Sequence, residues 1–176
     1  IWAAGARIEG DLDVRFAAVP FPLRLEDCAF RGALDLQDAQ FRSVQLPGCH
    51  TGEIRADGLR TEGSLCLNRR FRAEGAVRLS GAQVGGNLTC RSAQFLCPDG
   101  TALSADGVRV KGDLRLNDGF RAEGAVSLLG VAVGKDVDCD GGQFLCPSGD
   151  ALCADGLRVD GCVFLRQGFR AEGVVR

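Results

Sequence analysis

The chain has 176 residues, of which 45% are hydrophobic and 25% are charged, so it has enough apolar content for the core of one domain. It has 21 Lys and Arg against 23 Asp and Glu, a formal net charge of −2. This balance argues against a general nucleic-acid-binding protein, which would be clearly basic. No apolar run approaches the roughly 20 residues that a membrane-spanning helix needs.

An internal repeat extends over most of the chain. Residues 53–101 align without a gap with residues 102–150, more than half of the aligned positions are identical, and a third copy covers 151–176. The block FRAEG marks all three copies, at Phe71–Gly75, Phe120–Gly124 and Phe169–Gly173. Residues 1–52 carry shorter and more regular units. We therefore predict a single repeat domain over 1–176, and we expect it to be part of a longer chain.

A finer pattern of short alternating segments lies within each repeat. It reads apolar-x-apolar, about two polar or Gly residues, then small-x-apolar, as in Leu34, Leu36, Ala39 and Phe41. Alternation with a period of two is typical of a β-strand with one buried face. No segment has the i, i+3, i+4, i+7 pattern of an amphipathic helix. Short strands with Gly or Asp at the corners indicate coils of a parallel β-solenoid.

Two of these units are predicted to form one coil with four short sides. The predicted coils start at equivalent positions and are 20 to 26 residues long, beginning with Leu12, Leu34, Ile54 and Val77. Two coils then account for the 49-residue repeat. The whole chain would form about seven to eight coils, stacked about 4.8 Å apart.

Stacked coils place equivalent side chains in ladders. One inward ladder of six phenylalanines is predicted, with Thr51 as its one polar break: Phe30, Phe71, Phe95, Phe120, Phe144 and Phe169. Glycines that recur in the sequence ADG are predicted at corners, where positive φ or close backbone approach favours glycine: Gly58, Gly107 and Gly156. The aspartates before them are expected to form hydrogen bonds in the same corners: Asp57, Asp106 and Asp155.

The units Leu23-x-Leu25-x-x-Cys28-x-Phe30 and Val77-x-Leu79-x-x-Ala82-x-Val84 resemble the pentapeptide-repeat family. The resemblance implies an all-β fold, a right-handed quadrilateral β-helix. True pentapeptide repeats step by five residues without slipping, whereas this chain has extra residues, among them Gly85–Gly86. A distorted or three-sided cross-section therefore stays open as an alternative.

The segments Gly119–Gly130 and Ala102–Leu114 resemble a bacterial group of such repeat proteins, often uncharacterised or labelled "membrane-associated oxidoreductase". The resemblance implies a bacterial source, and a high arginine content is typical of a GC-rich genome. The residues do not support the oxidoreductase label, because the dinucleotide-binding fingerprint GxGxxG and its βαβ context are absent.

Nine cysteines raise the question of metal, disulfide or redox chemistry. No CxxC motif is present, and an odd number argues against a closed disulfide framework. Cys90 and Cys139 are predicted to point inward two coils apart, too far for the roughly 7 Å that a disulfide allows between Cα atoms. Structural burial is the favoured interpretation, with Cys66 and Cys153 on outward positions as the more reactive thiols. No metal and no cofactor is expected.

Two inserted loops share the motif Cys-Pro-x-Gly, which suits a turn. They are the candidate interaction loops, since loops on a rigid scaffold often bind partners: Cys97, Pro98, Asp99, Gly100, Cys146, Pro147, Ser148 and Gly149. A tolerated bulge is the alternative. The only histidine, His50, follows Cys49, and adjacent strand residues point to opposite faces, which argues against a catalytic pair. No catalytic residue is assigned.

Three functions remain as hypotheses. The first is a non-enzymatic cytoplasmic scaffold for protein–protein interaction or assembly, which includes self-association through the solenoid ends. The second follows from the resemblance, since some pentapeptide-repeat proteins mimic DNA and act on gyrase or topoisomerase. That function needs an acidic face, for which the candidates are Asp13 and Asp35 on one outward column and Asp138 and Asp140 elsewhere. The third is an oxidoreductase, by family label only. We expect no nucleic-acid partner and no membrane span.

Overall fold

The computed structural model describes all residues 1–176 and consists of β-strands joined by turns and bends. Strand pairing is parallel throughout, between coils that are neighbours in the chain. The predicted β-solenoid is therefore confirmed, with eight coils. The structure contains no helix that could cross a membrane.

Each coil contributes strands to side 1, side 2, side 3 and side 4 in that order, except that coil 8 has no strand on side 4. Coil 1 comprises β1 (Trp2–Ala4), β2 (Arg7–Ile8), β3 (Leu12–Asp13) and β4 (Ala18–Val19), and coil 2 comprises β5 (Leu23–Glu26), β6 (Ala29–Phe30), β7 (Leu34–Asp35) and β8 (Gln40–Phe41). Coil 3 comprises β9 (Val44–Gln45), β10 (His50–Thr51), β11 (Ile54–Arg55) and β12 (Arg60–Thr61), and coil 4 comprises β13 (Leu65–Cys66), β14 (Arg72–Ala73), β15 (Val77–Arg78) and β16 (Gln83–Val84). Coil 5 comprises β17 (Leu88–Thr89), β18 (Gln94–Ser104) and β19 (Arg109–Val110), and coil 6 comprises β20 (Leu114–Arg115), β21 (Arg121–Ser127) and β22 (Ala132–Val133). Coil 7 comprises β23 (Val137–Asp138), β24 (Gln143–Leu152) and β25 (Arg158–Val159), and coil 8 comprises β26 (Val163–Phe164) and β27 (Arg170–Val175).

The four sides form three sheets. Side 1 is an eight-stranded sheet and side 4 a seven-stranded sheet. Sides 2 and 3 join into one sheet because the long strands β18, β21, β24 and β27 continue around the corner between them. The coil starts predicted at Leu12, Leu34, Ile54 and Val77 are register partners. Coils 1 to 4 thus have four separate strands each, whereas in coils 5 to 7 a single long strand covers sides 2 and 3.

The core is one cluster of 44 buried residues along the inside of the solenoid. Five phenylalanine rings follow one another within it, with centroids 5.3 to 6.1 Å apart. Phe71, Phe95, Phe120 and Phe144 are fully buried. Edge-to-face and tilted aromatic contacts at these distances are favourable beyond the area that they bury.

The phenylalanines lie in two neighbouring columns rather than in the one column that the sequence predicts. Phe95 pairs in register with Ala73 below it and with Ala122 above it. Phe71 and Phe120 lie two positions earlier along side 2, where the intervening coil carries Ala93. Large and small residues thus alternate along each column, and within one coil a large residue in one column lies beside a small residue in the other. Two rings directly in register at about 4.8 Å would be crowded, and the offset avoids this.

The remaining members of the predicted ladder lie toward the two ends. Phe30 is buried in register with Thr51, which is itself 1% exposed and interrupts the aromatic series. The Thr51 hydroxyl donates to the Gly52 carbonyl at 3.2 Å, which satisfies this buried group. Phe169, in coil 8, is half-buried.

The ADG segments form corners between sides 3 and 4, as predicted. Gly58 has φ of +69°, and the equivalent glycines have nearly the same value. The Asp57 carboxylate accepts a hydrogen bond from the backbone N–H of Ser80 in the next coil at 3.1 Å. The Asp106 carboxylate accepts from Leu129 N–H at 3.3 Å in the same way. These aspartates therefore link successive coils.

Candidate binding groove on side 4

A shallow groove runs along the outer surface of side 4 and has a volume of about 1130 Å³. It follows all seven strands of this sheet, about 29 Å at the strand spacing of about 4.8 Å. The first residue of each short strand faces the groove, and these residues are register partners from coil to coil: Ala18, Gln40, Arg60, Gln83, Arg109, Ala132 and Arg158. The backbone ladder thus fixes the spacing of the groove side chains.

The groove is positively charged. Five cationic residues line it against two carboxylates, Glu62 and Asp160, which gives a net charge of +3 in a chain of net charge −2. The five are exposed: Arg42, Arg60, Arg109, Lys111 and Arg158. None of them has a carboxylate oxygen within 4.0 Å. Their charges are therefore available to a ligand.

Side 2 carries the same repeated pattern of arginine and glutamine, but there the charges are paired. Arg121 donates to Glu123, two residues later, at 2.7 Å and to Gln143 of the next coil at 2.8 Å. The equivalent arginines of coils 4 and 8 also bond to the glutamate two residues later. On side 4 the positions two residues after Arg60, Arg109 and Arg158 hold Glu62, Lys111 and Asp160, and no ion pair forms there. Equal arginine spacing thus gives a neutralised surface on side 2 and a cationic one on side 4.

Small residues keep the groove open. Ala132 occupies one of the seven outward positions, and Gly85 and Gly134 lie beside the sheet where other coils carry long side chains. Phe41, the only aromatic residue in the lining, is 3% exposed and belongs to the core. The groove therefore combines the cationic ends of long side chains with small residues between them.

This groove was not among the sites predicted from the sequence. The signal was present, because Arg60, Arg109 and Arg158 are 49 residues apart on outward positions. What the sequence does not show is which of the repeated arginines have a carboxylate partner. Arg60-x-Glu62 and Arg72-x-Glu74 are the same pattern in the sequence, yet only the second forms an ion pair.

The two Cys-Pro-x-Gly loops lie at the corner between sides 2 and 3, in coils 5 and 7. They are bulges within β18 and β24 rather than separate loops. Leu96 pairs with Glu123 and Thr101 with Ala125, so four residues, Cys97 to Gly100, lie opposite Gly124 alone. Cys146 to Gly149 lie opposite Gly173 in the same way.

The tips of both bulges are exposed while their cysteines are partly buried. Pro98, Asp99 and Gly100 face solvent, as do Pro147 and Ser148; Gly149 is half-buried. Cys97 and Cys146 pack against the core. Gly124 has φ of +115°, and a Cβ there would lie 2.1 Å from the Cys97 carbonyl oxygen, so this position needs glycine. The tips remain available as a second contact surface.

All nine cysteines are free thiols. Cys90 and Cys139 point into the core from side 1, and the intervening coil 6 separates them. Burial raises the pKa of the Cys139 thiol to about 12 and also raises the pKa of Cys90. At neutral pH these thiols stay protonated and behave as small apolar side chains.

The exposed thiols differ in part from the prediction. Cys66 is half-buried on side 1, and burial raises the pKa of its thiol. Cys153, predicted to face outward, is 7% exposed because it lies between Ser127 and Arg176 of the neighbouring coils. Cys162 is the exposed cysteine.

His50 and Cys49 lie on opposite faces of side 2, so they do not form a catalytic pair. Cys49 is fully buried, whereas His50 is exposed and its Nε2 lies 3.2 Å from a Glu74 carboxylate oxygen. The Arg72 guanidinium, together with His50, holds the pKa of Glu74 below its usual value. This arrangement continues the charged surface of side 2.

A scan against protein-family models, a search of curated proteins and a search of solved structures each found no match to this chain.

Proposed function

We propose that this protein is a non-enzymatic repeat scaffold that binds a protein partner along the groove of side 4. The observation that carries the proposal is the row of exposed, unpaired cations in register along this side. Five of the chain's nine unpaired cationic side chains line this one groove, while twelve arginines elsewhere form ion pairs. Such a concentration favours association with an acidic partner.

The backbone supports this function by holding the groove rigid. The chain makes 115 backbone–backbone hydrogen bonds, and the two-residue strands of side 4 pair with both neighbouring coils. A ligand that spans several coils would therefore meet side chains at fixed intervals, without an ordering cost for the protein backbone. Extended surfaces on stacked repeats are a common mode of protein binding.

The DNA-mimic alternative has less support. Asp13 and Asp35 are register partners on side 3, but the same column continues with Arg55 and Arg78. Asp35 is 6% exposed and has Arg15 and Arg55 within 4 Å. A DNA mimic needs a continuous acidic face, and this column does not provide one.

We further propose that the protein works in the bacterial cytoplasm. Nine free thiols favour a reducing compartment, since secreted proteins of this size tend to form disulfides. Self-association through the coil ends is the other expected mode of assembly, and sedimentation over a range of concentrations would detect it.

Site-specific photo-crosslinking in native lysate tests the scaffold function. Benzoylphenylalanine replaces Gln83 in the groove, Asp99 on a bulge, or Gln94 on side 2 in three otherwise identical baits. We expect a single enriched partner crosslinked from Gln83, and not from Gln94. A gyrase or topoisomerase subunit as the partner would favour the DNA mimic, and no enriched partner at any position would contradict the scaffold function.

A further inference from the structure

We infer that the groove of side 4 recognises an acidic segment of its partner in the polyproline II conformation, with a carboxylate at every third residue. This inference rests on the proposed function and specifies the chemistry of the partner. It follows from two properties of the groove: the spacing of its arginines and the two glutamines in the same column, on either side of Arg60.

The arginine spacing is the first property. Arg60, Arg109 and Arg158 share one column, and one coil separates each from the next. The coil spacing of about 4.8 Å places their positions about 9.6 Å apart. A polyproline II helix rises about 3.1 Å per residue with three residues per turn, so every third side chain points the same way at about 9.3 Å intervals. Three carboxylates would thus face three arginines with a mismatch of about 0.6 Å over the whole row.

Glutamine is the second property. Gln40 and Gln83 lie in the same column, on the coils before and after Arg60. Polyproline II has no internal hydrogen bonds, so its carbonyl groups stay free. A glutamine side chain can donate to a carbonyl through its amide nitrogen and accept from any free N–H through its oxygen. The arginines would then bind the acidic side chains, and Gln40 and Gln83 would bind the ligand backbone on either side of Arg60.

Other ligand geometries fit the row less well. In a β-strand every second side chain faces the same way at about 6.7 Å, which does not match the arginine interval. Helical residues i and i+7 are about 10.5 Å apart, which overshoots the row of three by about 2 Å. Single-stranded nucleic acid is bound through exposed aromatic stacking, and the groove has no exposed aromatic residue.

The test uses the full chain and defined peptides, with fluorescence anisotropy at low salt. The probe is an eleven-residue proline peptide with glutamates at its third, sixth and ninth positions. The comparison peptide has the same composition with its three glutamates adjacent. We expect the spaced peptide to bind about tenfold more tightly than the adjacent one. This ratio corresponds to the adjacent peptide losing about half of the binding free energy that each of the three exposed ion pairs contributes.

A matched pair of variants locates the binding site. The variant Arg60→Gln, Arg109→Gln and Arg158→Gln removes three charges from the groove. The control removes three arginines with the same 49-residue spacing from side 2: Arg72→Gln, Arg121→Gln and Arg170→Gln. We expect the groove variant to lose at least about tenfold in affinity for the spaced peptide and the control to change less than about twofold. Circular dichroism and the melting temperature show that both variants are folded.

Four results would overturn the inference. Equal binding of the two peptides would mean that charge alone is recognised. Equal loss in both triple variants would place the peptide outside the groove. Tighter binding of a single-stranded oligothymidylate or a heparin fragment of equal charge would assign the groove to another class of polyanion. If the peptides fail to bind while Gln83 still crosslinks to a partner, the inference falls and the scaffold function stands.

Discussion

Removal of one ring from the phenylalanine ladder should destabilise the middle of the solenoid more than its end. Phe95 is fully buried, with the rings of Phe71 and Phe120 at centroid distances of 6.1 and 5.3 Å, both edge to face. Its register partners are Ala73 and Ala122, which are too small to fill a cavity. We therefore expect Phe95→Ala to cost about 4–5 kcal/mol, the upper part of the range for such a substitution.

Phe169→Ala provides the matched control. Phe169 is half-buried and has one neighbouring ring, Phe144 at 5.4 Å. Since it loses less burial and one aromatic contact, we expect a cost of about 1–2 kcal/mol. Because both variants make the same chemical change, the difference between their costs in stability reports the packing around each ring.

Hydrogen exchange with mass spectrometry, together with denaturant unfolding, measures both effects. In a solenoid each coil contacts only its neighbours, so the loss of protection in Phe95→Ala should centre on coils 4 to 6 and leave coil 2 nearly unchanged. A cost no greater than that of Phe169→Ala would refute the reasoning. An equal loss of protection in all coils would show that the ladder is not a set of local contacts.

Three further predictions concern glycine, thiol reactivity and pH. Gly124→Ala should lower the melting temperature more than Gly119→Ala. Both residues have positive φ, where alanine is strained by about 1–3 kcal/mol. Only at Gly124 would the added Cβ also meet a carbonyl oxygen, at 2.1 Å. Maleimide labelling followed by mass spectrometry should modify Cys162 first and Cys90 only after unfolding, and early labelling of Cys90 would contradict its burial. Burial raises the pKa of Cys139 to about 12 and also that of Cys90, so the folded chain keeps both protons where the unfolded chain releases them. The free energy of unfolding should therefore fall from about pH 8.5 upward by about 1.4 kcal/mol per thiol and pH unit, and Cys139→Ala should reduce that slope by one such contribution.

Much of the fold could be predicted because the repeat shows which residues are equivalent. Leu34 and Ile54 occupy the same position in successive predicted coils, and they pair in register in the structure. Apolar residues with a two-residue period identified the strands. Because no segment had a helical pattern, a solenoid was the remaining way to bury such short strands. The number of coils then followed from the lengths of the units.

The phenylalanine columns could not be assigned correctly from the pattern alone. The repeat pattern places Phe71 and Phe95 at equivalent inward positions, but they lie two residues apart in register. The offset depends on the volume available between adjacent coils, which is a property of packing rather than of sequence period. The burial of Cys153 was missed for a related reason, since an outward position can still be covered by the next coil.

The groove needed three-dimensional information because it depends on which charges remain unpaired. Arg60 and Arg72 look alike in the sequence, with a glutamate two residues later in each case. Arg60 faces an open groove and has no ion-pair partner. Arg72 donates to the side chains of Glu74 and Gln94. Ion pairing among exposed side chains is too weak to be read from spacing.

The alternation of phenylalanine and alanine restricts how the solenoid can change in length. Loss of residues 88–113, a single coil, would bring Phe71 directly against Phe120 and leave Ala73 facing Ala122. One contact would be too crowded and the other would be a void, each unfavourable for a close-packed interior. Loss of residues 102–150, two coils, restores large against small throughout. In coils 4 to 8 we therefore expect duplication or deletion to be tolerated in even numbers of coils, and the 49-residue unit is the smallest segment by which this part can grow and keep its packing.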